Sequence, residues 1–155
     1  MDNAANGKTY DLAERTEQFG KQIILFCNKA PRSPITIPLI TQLVKCGTSV
    51  GANYCEADDA ESKPSTHDLT VGALGYFASR LSSVPRSHER GIRVLGKQDF
   101  RHKIGICKKE ARESKYFIRM IVVAIPQLEA NAKKLFQEAK EIHLIFNSIY
   151  KKVNT

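Results

Sequence analysis

The side chains best suited to metal binding are the four cysteines and four histidines of this 155-residue chain. On a helix, at about 100° per residue, Cys46 and Cys55 point in opposite directions, and His102 and Cys107 differ by about 140°. Neither pair can chelate a metal locally, and the sequence lacks the paired Glu-x-x-His motif of di-iron bundles. We therefore predict no metal and no cofactor, and we interpret the cysteines as reduced, buried structural thiols.

Covalent catalysis requires a nucleophile, a base and a group that orients the base. The nearest approaches in this sequence are three pairs, His102 with Cys107, Ser49 with Asn53, and Asp58 with Asp59. None of them completes such a set, and the sequence has no glycine-rich phosphate loop and no Gly-x-Ser-x-Gly elbow. The sequence therefore predicts no catalytic residues and a protein that is not an enzyme.

A polar face on the second predicted helix offers another kind of contact. Ser49, Asn53 and Glu56 recur at spacings of four and three, so they share one side of the helix. Their potential partners on the third predicted helix are His102, Lys103, Lys109, Glu110 and Arg112. We interpret this face as hydrogen bonding that fixes the helix register, with contact to nucleic acid or to a protein as the alternative.

Positive charge is concentrated in one segment of the chain. The formal net charge is +8, and residues 97–125 contain eight Lys or Arg against three Asp or Glu. Such a patch attracts nucleic acid or anionic surfaces, although a solvated helix face is the commoner cause of a charge run. The binding hypothesis rests on Arg101, Lys103, Lys108, Lys109, Arg112 and Lys115.

Four amphipathic helices account for the spacing of the apolar residues. We place them at about 11–30, 36–62, 98–125 and 127–152, and Pro31 and Pro126 end the first and the third. Apolar residues recur along each helix at spacings of three and four, as in bundle helices. The sequence therefore predicts an all-α fold, an antiparallel up-down four-helix bundle that forms one domain over 1–155.

Two glycines interrupt the second helix. Gly47 and Gly51 lie beside Val50 and Tyr54, and a glycine in a helix interior costs about 1 kcal/mol relative to alanine. Their presence predicts close approach of another backbone, with these four residues as helix-packing positions. The acidic end of this helix, which contains Glu56, requires a basic neighbour, and the start of helix three provides one.

The segment 64–96 differs from the rest of the chain. It contains four glycines and two prolines and lacks sustained helical periodicity. We interpret it as a weakly ordered insertion between helices two and three.

The second half of helix three, residues 116–125, is apolar on nearly every side. A helix that is apolar all round is buried all round, and four helices alone cannot cover it. We therefore predict an oligomer interface at Phe117, Ile118, Ile121, Val122 and Val123.

No run approaches the roughly 18 apolar residues of a membrane span, and the start lacks the apolar segment of a signal peptide. We expect a cytoplasmic protein without membrane contact.

Two blocks of the sequence, 47–57 and 99–119, read GTSVGANYCEA and DFRHKIGICKKEARESKYFIR. They resemble the small four-helix bundle proteins encoded in intervening sequences of bacterial large-subunit ribosomal RNA genes, and the opening YDLAERT at 10–16 is similar too. The resemblance covers about 10–63 and 97–152. It implies an antiparallel bundle that assembles into a ring-shaped pentamer. A related branch, the accessory proteins of diversity-generating retroelements, uses a basic pentamer to bind nucleic acid and a reverse transcriptase, so the resemblance implies binding rather than catalysis.

The chain departs from the family pattern in three places. Cys55 stands where the family usually has arginine, Phe117 stands where tryptophan is common, and the segment 64–96 has no counterpart. Removing that segment would join Glu-Ser-Lys to Lys-Gln-Asp-Phe, as relatives read. One hypothesis is a mobile or repeated DNA element translated in frame; the alternative is an ordinary lengthened loop.

The leading functional hypothesis is a non-enzymatic homo-oligomer, a pentamer by resemblance, that binds RNA or DNA through a basic surface on helix three. The alternative is a protein-interaction scaffold for an enzyme encoded nearby, without nucleic-acid contact.

Overall fold

The computed structural model describes residues 11–62 and 87–153, with side chains at 11–58 and 97–153. Four α-helices form this part of the chain. They are α1 (Leu12–Asn28), α2 (Thr36–Ser62), α3 (Ser87–Ala124) and α4 (Glu129–Val153). A 3₁₀ turn at Pro126–Leu128 links α3 to α4. The described ranges contain no β-strand, and the predicted all-α fold is confirmed.

Local side-chain bonds define the helix starts. Asp11 caps α1, because its Oδ1 accepts a hydrogen bond of 3.0 Å from the amide of Glu14. Before α2, Ser33 and Thr36 exchange bonds, since each amide donates to the hydroxyl of the other residue, at 2.8 and 3.1 Å. Pro38 then lies in the first turn of α2, where a missing N–H leaves no bond unmade.

The third helix begins at Ser87 rather than near residue 98. The predicted insertion 64–96 is therefore helical over its last residues, while the remainder of it lies outside the described residues. Gly91 and Gly96 lower the helix propensity of this stretch. Once 98–124 is helical, however, each further residue adds a hydrogen bond without a new nucleation step. Glu, Arg and Leu in the same stretch are good helix formers, and Pro85 precedes it.

Cross-helix pairs show that neighbouring helices run antiparallel. Higher residue numbers on one helix meet lower numbers on the next in every case. The pairs are Gly47 with Ile23 and Gly51 with Thr16 for α1 and α2, Cys46 with Ser114 and Glu56 with Lys103 for α2 and α3, and Arg119 with Phe136 and Lys108 with Tyr150 for α3 and α4. The α2–α3 pair is the most extensive contact of the bundle.

One apolar core runs between the four helices. Its most deeply buried side chains are each less than 2 % exposed, and they include Phe19, Ile23, Leu43, Val50, Ile104, Ile118, Ile121, Ile142 and Phe146. Tyr54 packs its ring against that of Phe146, with the centroids 5.7 Å apart. The core follows the apolar spacing of three and four that the sequence carries on each helix.

The two glycines of α2 face α1. A Cβ atom on Gly47 would lie 2.7 Å from Cγ1 of Ile23, whereas one on Gly51 would lie 3.5 Å from the Thr16 carbonyl oxygen. The first distance is a clash and the second is ordinary contact. The packing against α1 therefore leaves no room for a side chain at Gly47, whereas it leaves room for a methyl group at Gly51.

An ion-pair cluster joins α1 to α4 and closes the bundle. The guanidinium of Arg15 binds Glu138 in a two-point contact, Nε to Oε1 at 2.6 Å and Nη2 to Oε2 at 2.9 Å. Nη2 also donates to Oε2 of Glu141 at 2.5 Å. The Arg15 and Glu138 side chains are about three-quarters buried. The planar guanidinium therefore forms two parallel hydrogen bonds to the carboxylate at a site with little access to water.

Candidate nucleic-acid interface

A row of positive charge runs along α3 where this helix packs beside α4. We call it the basic stripe, and its members are Arg101, Lys108, Arg112, Lys115 and Arg119. They recur at spacings of seven, four, three and four, so their side chains stay within about 60° of one another on the helix. At a rise of about 1.5 Å per residue, the stripe is about 27 Å long.

The stripe holds four of the six residues in the binding hypothesis. Lys103 projects to the other side of α3 and binds Glu56 of α2, and this hydrogen bond raises the pKa of Lys103. Lys109 also lies off the stripe, with its Nζ 3.5 Å from Oε1 of Glu113. Both lysines thus have carboxylate neighbours. The sequence hypothesis did not include Arg119, although its spacing of four from Lys115 was a readable signal.

The stripe is not neutralised within the described part of the chain. None of its five cations has an Asp or Glu oxygen within 4.0 Å among the side chains of 11–58 and 97–153. Several carboxylates elsewhere on the bundle are paired with cations outside the stripe, as Glu138 is with Arg15 and Glu56 with Lys103. The surface between α3 and α4 is therefore strongly positive.

Aromatic rings of α4 hold several of these cations in place. The Lys108 Nζ lies 4.3 Å from the Tyr150 ring centroid, and the Arg101 Cζ lies 5.8 Å from it. Nearer the other end, the Arg119 Cζ lies 4.9 Å from the Phe136 centroid. A ring face attracts a cation without cancelling its charge. These contacts orient the stripe while leaving its full charge for a ligand.

At the centre of the stripe, Lys115 contacts a histidine of α4. The Lys115 Nζ lies 3.2 Å from Nδ1 of His143. An ammonium only donates, so Nδ1 accepts and the imidazole is neutral in this contact. Burial lowers the pKa of His143, and the nearby Lys115 and Lys108 lower it further. Burial also lowers the pKa of Lys115, as do the neighbouring arginines of the stripe and Lys140.

Several cations surround Lys115 and His143, so the electrostatic potential is strongly positive at this point of the stripe. Two residues around this point, Lys140 and His143 on α4, were not among the residues assigned from the sequence. They are three positions apart on one side of α4. Only the packing of α4 against α3 brings His143 into contact with Lys115 and Lys140 near enough to lower the pKa of Lys115.

The cysteines lie where they offer little reactivity. Cys27, Cys46 and Cys107 are buried and Cys55 is exposed, all as free thiols. Burial raises the pKa of Cys27 to about 11 and that of Cys107 to about 12, which keeps both thiols protonated and unreactive. The described residues contain no cluster of three or more His, Cys, Asp or Glu side chains arranged to hold a metal ion.

The predicted polar face of α2 is divided in the structure. Asn53 donates from Nδ2 to the carbonyl oxygen of Ser49, 2.8 Å away in the same helix, while Glu56 reaches across to Lys103. Nearer the middle of the bundle, thiols make the cross-helix contacts. The Cys107 Sγ lies 3.4 Å from the carbonyl oxygen of Val50, and the Ser114 Oγ lies 3.3 Å from the Cys46 Sγ.

The residues assigned to an oligomer interface occupy different depths. Ile118 and Ile121 are 1 % and 0 % exposed within a single chain, because they belong to the core. Phe117 and Val122 are half-buried. Val123, at 75 % exposed, is the member that a second subunit can reach most readily. Tyr116, at 57 % exposed, lies close by on the same helix.

No helix in the described ranges is long and apolar enough to cross a membrane.

No family model and no curated protein matches this chain. A solved structure of a protein of unknown function from the S23 ribosomal protein family, from Bacteroides thetaiotaomicron VPI-5482, has a similar fold. It matches with a TM-score of 0.57 and 19 % sequence identity, covering 90 % of this chain and 97 % of that chain. The comparison shows a shared helical-bundle fold.

Proposed function

We propose that this protein is a non-enzymatic bundle that binds RNA or DNA through the basic stripe. The observation that supports this function best is the absence of a carboxylate partner for any of the five stripe cations among the described side chains. Where a run of charged residues on a helix is simply exposed to solvent, residues of opposite charge commonly lie three or four positions away and pair with it. Here the opposite charges lie on other faces, which leaves the stripe to attract phosphates.

The mode of binding follows from the chemistry of the stripe. Arginine and lysine side chains contact phosphates, which position a nucleic acid without reading its sequence. Affinity should therefore depend strongly on salt and only weakly on base sequence. If all five cations contact phosphates of a single strand, log K falls with log salt with a slope of about −3.5.

The family resemblance supports the same proposal, since the retroelement accessory proteins of the related branch bind nucleic acid. It also leads us to propose that the chain assembles into a homo-oligomer, a pentamer by analogy, and works in the cytoplasm. The exposed Val123 at the end of α3 is consistent with such an interface. The rival function is a scaffold for an enzyme encoded nearby, in which the apolar end of α3 is the working surface.

Fluorescence anisotropy with labelled RNA and DNA at two salt concentrations tests nucleic-acid binding. The variant Arg112→Gln with Arg119→Gln removes two stripe charges and should weaken binding by about tenfold at low salt, with a salt slope shallower by about 1.4. The matched control, Lys21→Gln with Lys29→Gln, removes one charge from α1 and one from the C-cap residue that follows it, and it should change affinity little. No binding by the unaltered protein at low salt contradicts the proposal, as does equal weakening by both double variants.

A further inference from the structure

A groove of about 540 Å³ lies beside the basic stripe. It is formed where Tyr150, near the end of α4, packs against residues 98–109 of α3. Its walls combine apolar and cationic groups. Ile106 and the Tyr150 ring supply apolar surface, and Arg101, His102 and Lys109 supply nitrogen donors. A volume of this size accommodates a small planar ligand with its charged group.

Gly105 determines how the ring is placed in this groove. A Cβ atom at Gly105 would lie 3.1 Å from Cε2 of Tyr150, so the ring lies directly against the backbone of α3. The same ring is the one near Lys108 and Arg101. An aromatic surface and two stripe cations are thus found together at one end of the row of charge.

We propose that this groove holds one unpaired base of a single-stranded nucleic acid whose phosphates follow the basic stripe. The inference rests on the proposed function and adds the class of ligand. Bases of single strands stack on tyrosine rings, and the stacking tolerates any base because each has a π face. A base within a duplex is already stacked and paired, so it cannot enter the groove without being flipped out.

The arrangement also accounts for the position of the cations around the groove. A base against the Tyr150 ring places its own phosphate near Arg101, at the start of the stripe. The next phosphates then continue towards Lys108 and Arg112. Basic grooves that track the backbone beside aromatic stacking platforms are typical of proteins that bind single strands without sequence preference.

The test compares a labelled single-stranded oligouridylate with a duplex RNA of equal length, by anisotropy at low salt. Tyr150→Leu should weaken single-strand binding by about tenfold and change duplex binding less than about twofold. The control Tyr116→Leu removes an exposed tyrosine from α3 outside the groove and should leave both affinities unchanged. Circular dichroism melting verifies that each variant is folded.

A second measurement uses the unaltered protein and therefore does not depend on a variant that folds. An oligonucleotide carrying 5-bromouridine is cross-linked by ultraviolet light, and the modified peptide is identified by mass spectrometry. We expect cross-links to the peptides that line the groove, including the one with Tyr150. Cross-links confined to other surfaces overturn the inference.

The outcomes separate the two proposals. If neither oligonucleotide binds, the proposed function and the inference both fail. If both bind equally and Tyr150→Leu weakens them alike, the basic stripe still binds nucleic acid, but the groove does not select single strands. Single-stranded DNA in place of RNA shows whether the 2′-hydroxyl contributes, because the proposed stacking requires only a base and its phosphate.

Discussion

At the scale of single residues, Gly47 is the position where side-chain size matters most for α1–α2 packing. The clash that a Cβ would make is with Ile23, which is fully buried and β-branched, so it cannot rotate away at low cost. Gly51, one turn later, has room for a methyl group. The two glycines share a sequence environment but differ in what their partner helix permits.

We expect Gly47→Ala to destabilise the protein by up to about 2 kcal/mol, since overpacking costs about 1–3 kcal/mol and the gain in helix propensity returns about 1 kcal/mol. Gly51→Ala is the matched control and should be neutral or stabilise by up to about 1 kcal/mol. Urea unfolding followed by circular dichroism measures both. Equal stability changes at the two positions would argue against strict close approach at Gly47.

The lowered pKa of His143 predicts how the free energy of unfolding depends on pH. Its pKa is lowered in the folded state by burial and by Lys115 and Lys108, whereas a histidine in the unfolded chain has a pKa of about 6.5. Below that pH the unfolded chain binds the proton first, so this group reduces stability as the solution becomes more acidic; above it the imidazole is neutral in both states and contributes nothing.

The variant His143→Asn keeps an acceptor for Lys115 but cannot be protonated. Its stability relative to the unaltered protein should rise as the pH falls below about 6.5 and should be constant at higher pH. Urea unfolding between pH 5 and pH 8, with the difference between the two proteins as the readout, isolates this histidine from other titrating groups. A difference that does not change with pH would show that neither burial nor the neighbouring cations lower the pKa of His143.

At the scale of elements, α1 and α4 are joined by the two-point contact between Arg15 and Glu138. Lysine at this position keeps the charge but cannot form both hydrogen bonds. We expect Arg15→Lys to cost about 1 kcal/mol, because a charge-assisted bond in a partly buried site is worth more than an exposed pair. Urea unfolding at low salt measures the change.

The control for Arg15 is Lys21→Ala, which removes an exposed pair with Glu17 within α1. Such pairs at i and i+4 contribute only about 0.3–0.5 kcal/mol. A loss for Arg15→Lys no larger than that of the control would show that the contact between α1 and α4 depends on apolar packing alone.

At the scale of the whole molecule, we predict self-association through the exposed end of α3. Val123→Glu places a charge on a residue that is 75 % exposed in the single chain, so it should leave the fold intact and lower the mass of the particle. Leu144→Glu, on α4 and 55 % exposed, is the matched control and should retain the mass of the unaltered protein. Size exclusion with light scattering measures both. A monomeric unaltered protein would contradict the prediction.

The sequence predicted the helices well because apolar spacing is a local property. The end of α3 before Pro126 and the apolar spacing of three and four along each helix depend on residues within a few positions of one another. The start of α3 was wrong because Gly91 and Gly96 resemble a loop, although an established helix can extend through them. Ile118 and Ile121 continue the apolar spacing of three and four along α3, and the bundle buries them in the core of a single chain. The local pattern did not separate them from the more exposed Val123 on the same helix, because the separation depends on which side α1, α2 and α4 cover.

The sequence by itself determined that the described part of this chain forms four helices and that positive charge is concentrated on the third of them. Tertiary structure decided which cations act together. Lys103 is paired with Glu56 because α2 lies beside it. On the opposite side of α3, the packing of α4 places Phe136 against Arg119 and His143 against Lys115. The physical reason is that the charge on one helix follows from residue spacing, but its neutralisation depends on which groups the neighbouring helices bring within a few ångströms.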